Sequence, residues 1–216
     1  MNIKTDFYID QHQRWPQEGH HILTQYDETT ILVYQAYHQR IGEYALKHGH
    51  FGGEFRFDRM SWIKPNFLWM MYRSDWGRAA HQEVVLGIRL RRTFFDLLLE
   101  QAVWSSFKRN HYESKEMWKA AVTNSDVRLQ WDPDHFPTGE KCGRRAIQLG
   151  LRGDLLEAFA CREMLEVIDL RPFLNEQRPH RHKWQSRTLR TPLEFRYQPT
   201  SEVARARIGL DSDDLD

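Results

Sequence analysis

Thr30-Ile-Leu-Val-Tyr-Gln-Ala-Tyr37, followed by Gln39-Arg-Ile-Gly-Glu-Tyr-Ala-Leu-Lys-His48 and Gly49, decides the fold class. The first run is β-branched and aromatic and reads as a buried strand. In the second, Ile41, Tyr44, Ala45 and the aliphatic part of Lys47 fit one face of a short helix. Gly49 suits its left-handed C-terminal cap.

Working outward, Pro65 opens Asn66-Phe-Leu-Trp-Met-Met-Tyr72, which reads as a second strand buried on both faces because it lacks alternation. Glu83 to Leu90 is a third strand. It leads into a helix over Thr93 to Val103 with Thr93 as N-cap, and Ser114 caps another helix running to about Val122. Asp126 to Trp131 alternates as a half-buried strand stopped by Pro133, and Arg145 to Leu151 is a further strand. Asp154 caps a helix through Ala160, and Met164 to Leu170 is the last strand. Strands and helices follow no regular βαβ rhythm, so the expected class is α+β. The expected division is a lead-in over 1–25, one α+β domain over 26–172, and a polar extension over 173–216. That extension is expected to be irregular, and mobile beyond about Ser201. The stretch from Arg171 to Arg196 is basic at Arg171, Arg178, Arg181, Lys183, Arg187, Arg190 and Arg196, and the chain ends acidic at Asp211, Asp213, Asp214 and Asp216.

The 216 residues are 40% hydrophobic, 28% charged and 13% aromatic, with eight Trp, which excludes a disordered chain. Net charge is +1, so no global field steers the protein to nucleic acid or to an acidic membrane. Met1 to Trp15 has no apolar leader, and no apolar run approaches the ~20 residues of a membrane span. A cytoplasmic protein without a membrane partner is expected. The two cysteines, Cys142 and Cys161, are too few for a disulfide framework.

Phosphate loops of the GxxxxGK[ST] and GxGxxG types, HExxH, paired CxxC and GxSxG are all absent. The His48/His50 and His180/His182 pairs lie in polar, loop-like sequence and read as solvated, so no metal is expected. Arg59-Met-Ser-Trp-Ile-Lys-Pro-Asn-Phe-Leu-Trp-Met-Met-Tyr-Arg-Ser-Asp-Trp76 is more telling. It interleaves Trp62, Trp69 and Trp76 with Arg59, Lys64 and Arg73. Cations beside flat aromatic walls suit a nucleotide's ring and pyrophosphate. Trp69, Met70 and Met71 read as core; Arg59, Lys64, Tyr72 and Ser74 are candidates for a pocket mouth. A second stretch joins Gln130-Trp-Asp-Pro133 to Arg144-Arg-Ala-Ile-Gln-Leu-Gly150. There Gln148 faces opposite to Ile147 and Leu149 and offers an amide to a ribose hydroxyl or a carboxamide.

Val33 to Tyr37, Arg59 to Ser74, Val127 to Pro133 and Arg145 to Leu151 resemble the signature blocks of a family of unknown function, DUF4291, over about Tyr26 to Leu170. More distantly, the strand ending at Tyr37, its short helix and Gly49 are similar to the first strand and helix of ADP-ribosyltransferases. That second resemblance implies a split sheet with flanking short helices, NAD as substrate, and an acceptor that is protein or nucleic acid. The family's His or Arg position falls on Gln35, its Tyr or Ser position on Tyr72 or Ser74, and its usual Glu on Gln148. Tyr37, Arg59, Trp62, Lys64 and Ser74 are the implied NAD contacts. With Gln at 148, either Asp132 or Glu140 supplies the carboxylate, or the fold binds a nucleotide without transferring it. The alternative is a non-catalytic nucleic-acid-binding module, with a groove built from Arg59, Trp62, Lys64 and the basic extension.

Overall fold

The strand predicted over Thr30–Tyr37 forms with those bounds and is the element on which the rest is organised; the computed structural model describes residues 3–211. In chain order the elements are β1 (Thr5–Phe7), α1 (Tyr8–His12), β2 (Gly19–His20), β3 (Ile22–Thr24), β4 (Thr30–Tyr37) and α2 (Gln39–His48). Next come β5 (Ser61–Ile63), α3 (Phe67–Ser74), β6 (Val84–Arg91), α4 (Arg92–Gln101), β7 (Val103–Trp104) and α5 (Lys115–Asn124). The long hairpin β8 (Val127–His135) and β9 (Lys141–Leu151) follows, then α6 (Gly153–Ala158), a π turn over Phe159–Glu163, and β10 (Met164–Asp169). The chain continues through α7 (Arg171–Gln177), a 3-10 turn over Arg178–Lys183, β11 (Arg190–Pro192), β12 (Phe195–Tyr197) and α8 (Glu202–Ile208).

β4 pairs antiparallel with β6 from Thr30↔Arg91 to Tyr37↔Val84, and β10 flanks β6. A second sheet runs β2-β9-β8-β7, with β5 also paired to β9. Alternation along β4 explains why the first sheet is buried on both faces. Ile31 and Val33 join Leu86 and Ile88 in a core that also holds Ile63, Leu129, Ile147 and Leu149 of the second sheet. Leu32 and Tyr34 join Val85 in the opposite core with Phe67, Met71, Phe173 and Leu174. Each such side chain contributes roughly 2 kcal/mol by leaving water. This is a single α+β domain, and among the described residues no helix is long and apolar enough to cross a membrane.

Several local readings hold in detail. α2 ends at Gly49, whose φ of 73° is the left-handed cap, and the Ser114 hydroxyl accepts from the Met117 amide to start α5. Others are corrected. Phe67–Ser74 is a helix, not a strand. Its apolar run carries no β-branched residue, and a helix that is apolar on nearly every side belongs inside the protein. The helix after β6 starts at Arg92 with Arg91 in the cap position, two residues earlier than a Thr93 cap implies, and Asp154 lies in the first turn of α6 behind Arg152 as cap. β8 passes through Pro133, which pairs with Arg145 beside a register shift where a missing N–H is tolerated.

The largest correction concerns residues 171–208. Pro172 sits in the first turn of α7, β11 pairs with β1, β12 pairs with β3, and α8 starts on a Ser201 cap and buries Ala204 and Ile208. Apolar residues are sparse there, but Phe173, Leu174, Leu189 and Tyr197 all enter the cores. Asp213, Asp214 and Asp216 lie outside the described residues.

Candidate functional site

Tyr34 and Lys64 exchange backbone hydrogen bonds, Tyr34 N to Lys64 O at 2.7 Å and Lys64 N to Tyr34 O at 3.2 Å, and so tie the two sheets together. Beside this junction lies a cavity of about 770 Å³. The end of β4 brings Gln35 and Tyr37 to it, and the segment through β5 brings Arg59, Met60, Ser61 and Trp62. Trp69 and Arg73, one turn apart on α3, line it together. Gln130 and Asp132 of β8 and Gln148 of β9 complete the wall. Gly150 makes room for this arrangement: a Cβ there would lie 2.6 Å from Met60 Sδ and 2.9 Å from the Trp62 ring.

Strand register explains the polar cluster. Gln130 pairs directly with Gln148, and Asp132 stands two residues along the same face, while Leu129, Ile147 and Leu149 fill the core. Gln130 Nε2 donates to Asp132 Oδ1 at 2.7 Å, and Gln148 Nε2 donates to Asp132 Oδ2 at 2.7 Å. Two neutral amides thus fix both oxygens of the carboxylate without cancelling its charge. A second network holds the other wall. Gln35 Nε2 donates to Ser61 Oγ at 2.8 Å and to Trp62 O at 3.2 Å, and the Tyr37 hydroxyl meets Ser61 Oγ at 2.7 Å. Gln35 Oε1 is buried without a partner. Burial drives the Tyr37 phenol well above its ordinary range, so it stays protonated and can act as a donor.

Lys64 is only 6% exposed and lines the same cavity. Burial first, and then the nearby Arg73 charge, lower its ammonium to about 8, with Asp132 opposing the shift. Arg59 and Arg73 are exposed at the rim.

The cavity therefore collects Gln35, Tyr37, Arg59, Trp62, Lys64 and Gln148 from the sequence-based candidates, together with Asp132. Tyr72 and Ser74 do not line it. Tyr72 is 46% exposed and stacks on His135, ring centres 3.6 Å apart, beside a different hollow. Ser74 is fully buried and donates to the Met70 carbonyl at 2.9 Å. Both were placed at the mouth of a strand, whereas the segment is the helix α3, whose period carries Trp69, Met70 and Arg73 to the cavity. Glu140 is exposed away from it. Trp69 and Met70 are buried, as read, and also line the cavity, together with Ala36, Met60, Ser61, Arg73, Gln82 and Gln130. The i,i+4 spacing of Trp69 and Arg73 was the available signal.

Much of the basic extension is engaged internally. Arg171 pairs with Asp169 at 2.6 Å and with Glu43 at 2.5 Å, and Arg187 pairs with Asp10 at 3.0 Å. Arg181 pairs with Asp75 at 3.2 Å and Arg178 donates to the Trp76 carbonyl at 3.1 Å, and both gather with Arg78 and His182 around a separate hollow of about 340 Å³. Cys142 and Cys161 are both free thiols. Among the described residues no group of three or more His, Cys, Asp or Glu is placed to hold a metal.

A family model described as domain of unknown function (DUF4291) matches residues 21–197, and the chain belongs to that family. No curated protein matches the chain.

Proposed function

We propose that this member of the DUF4291 family binds NAD in the Lys64–Asp132 cavity and transfers its ADP-ribosyl group to an acceptor. The observation that carries the reading is Asp132, a carboxylate held at both oxygens by Gln130 and Gln148 on the cavity wall. In this role Gln148 acts as a positioning residue, and Asp132 is the group that faces the reacting ribose. Trp62 and Trp69 offer flat walls to the rings, and Arg59 and Arg73 at the rim suit a pyrophosphate. A cavity of this size is within the usual range for a bound small molecule.

The chemistry follows from those groups. The bond between ribose C1′ and the nicotinamide nitrogen breaks, and its electron pair leaves with neutral nicotinamide. Positive charge then develops on the ribose, where a fixed carboxylate lowers the barrier most. The acceptor's nucleophilic atom bonds to C1′ and releases its proton. Asp132→Asn keeps the shape and both amide neighbours but removes the charge, so NAD binding should survive while nicotinamide release falls at least about a hundredfold. Unchanged release in this variant would overturn the assignment.

A second reading is favoured by one observation, the four basic side chains Arg78, Arg178, Arg181 and His182 around their own hollow. Nucleic-acid binding there must weaken steeply between low and moderate salt. NAD stabilisation without a salt-sensitive RNA response supports the transferase; the reverse supports the binding module.

A further inference from the structure

Lys64 combines three properties that its role as a mere counter-charge does not require. Its main chain is bonded twice to β4, so the side chain leaves a rigid junction. It is 6% exposed yet lines the cavity. Among the described residues its ammonium makes no hydrogen bond and no ion pair. Holding an unpaired ammonium in such a place is costly, which favours the neutral amine. The charged and titratable groups around it are Arg73 on α3, Asp132 on β8, Arg59 before β5 and Tyr37 on β4. The neutral fraction of such an amine, open to a cavity, is a nucleophile.

We propose that Lys64 is a covalent nucleophile that forms an imine with a phosphorylated aldehyde or ketone bound in this cavity. Arg59 and Arg73 would take the phosphate, and Trp62 and Trp69 the planar body of the compound. In the step, the Nζ lone pair attacks the carbonyl carbon to give a carbinolamine. The carbonyl oxygen then departs as water with the two hydrogens of the amine, leaving the C=N bond. No oxidant or reductant is consumed. The inference does not rest on ADP-ribosyl transfer.

The test uses the full chain, pyridoxal 5′-phosphate as the probe, borohydride to fix any imine, and peptide mapping. With the ammonium at about 8, the free-amine fraction at neutral pH is roughly two- to three-hundredfold that of an ordinary lysine. Lys64 should therefore be labelled far faster than the exposed Lys47, inorganic pyrophosphate should slow that labelling, and Lys64→Met should abolish it. Labelling of Lys64 no faster than Lys47, or of exposed lysines alone, overturns the proposal. Should Lys64→Met fail to fold, the wild-type map decides by itself. NAD is absent throughout, so failure here leaves the transferase reading standing, and failure of NAD to bind leaves this one.

Discussion

Removing the Asp134 carboxylate should cost this fold more than any change at the cavity, because it strands a buried cation. Arg144 and Asp134 are 1% and 2% exposed. Arg144 Nε donates to Asp134 Oδ2 at 2.8 Å, and a second guanidinium nitrogen lies 2.8 Å from the same oxygen. The guanidinium also donates to Pro16 O at 2.7 Å and lies 5.4 Å from the centre of the Trp15 ring. The pair therefore joins β8 and β9 to the segment after α1. In Asp134→Ala the arginine keeps its bond to Pro16 but loses its counter-charge in a dry site. Deleting one member of such a pair costs about 3–5 kcal/mol. For a chain of this length that lowers Tm by roughly 6–20 °C. The double variant Arg144→Met/Asp134→Leu should recover much of the loss, since removing both charges removes the stranded one. Calorimetry and urea titration of the three proteins decide the matter. An Asp134→Ala protein melting within about 2 °C of wild type would refute the reasoning.

Other predictions come from single contacts. Gly150→Ala sets a Cβ against Met60 and the Trp62 ring, so it should destabilise the fold by about 1–3 kcal/mol and weaken ligand binding in the cavity, read by denaturation and titration. Gln148→Leu removes one of the two bonds that fix Asp132, and nicotinamide release should fall about tenfold or more with little change in NAD affinity; equal losses in both would contradict a positioning role. Ser114→Ala removes the cap of α5, which buries none of its side chains; hydrogen exchange in that helix should speed up, by about 1 kcal/mol of local stability. Lys64 has its folded-state ammonium lowered from 10.5 to about 8, so between those values the unfolded chain binds more protons and stability rises with pH. The gain is about 3 kcal/mol from pH 8 to 10.5, it should vanish in Lys64→Met, and a flat difference between the two proteins would contradict it.

The parts of the fold written in local chemistry were legible. β4 carries its β-branched and aromatic residues, α2 its Gly49 stop and α5 its Ser114 cap, and none of these needs a distant partner to be recognised. α3 was not legible, because a short apolar run suits a buried strand as well as a buried helix, and only the surrounding core chooses. Residues 171–208 were not legible either. Their fold depends on pairing with β1 and β3 across the whole chain, and composition carries no trace of that. The site shows the same division. Gln35, Trp62, Lys64 and Gln148 line the cavity because their neighbours in β4, β5 and β9 fix their direction, and Tyr72 and Ser74 fall outside it because α3 is a helix. That Asp132, one of two carboxylates considered, is held by Gln130 and Gln148 follows from the β8–β9 register, which no single stretch of sequence specifies.

The most direct measurement of the central claim is a thermal titration of the wild-type chain and Asp132→Asn with NAD, using ATP and short single-stranded RNA as controls. At ~100 times its dissociation constant, NAD should stabilise the wild-type fold by about 2.7 kcal/mol. The same stabilisation should appear in Asp132→Asn, since its charge acts on the reaction rather than on binding. No stabilisation of the wild type by NAD, at any concentration up to millimolar, would contradict the account.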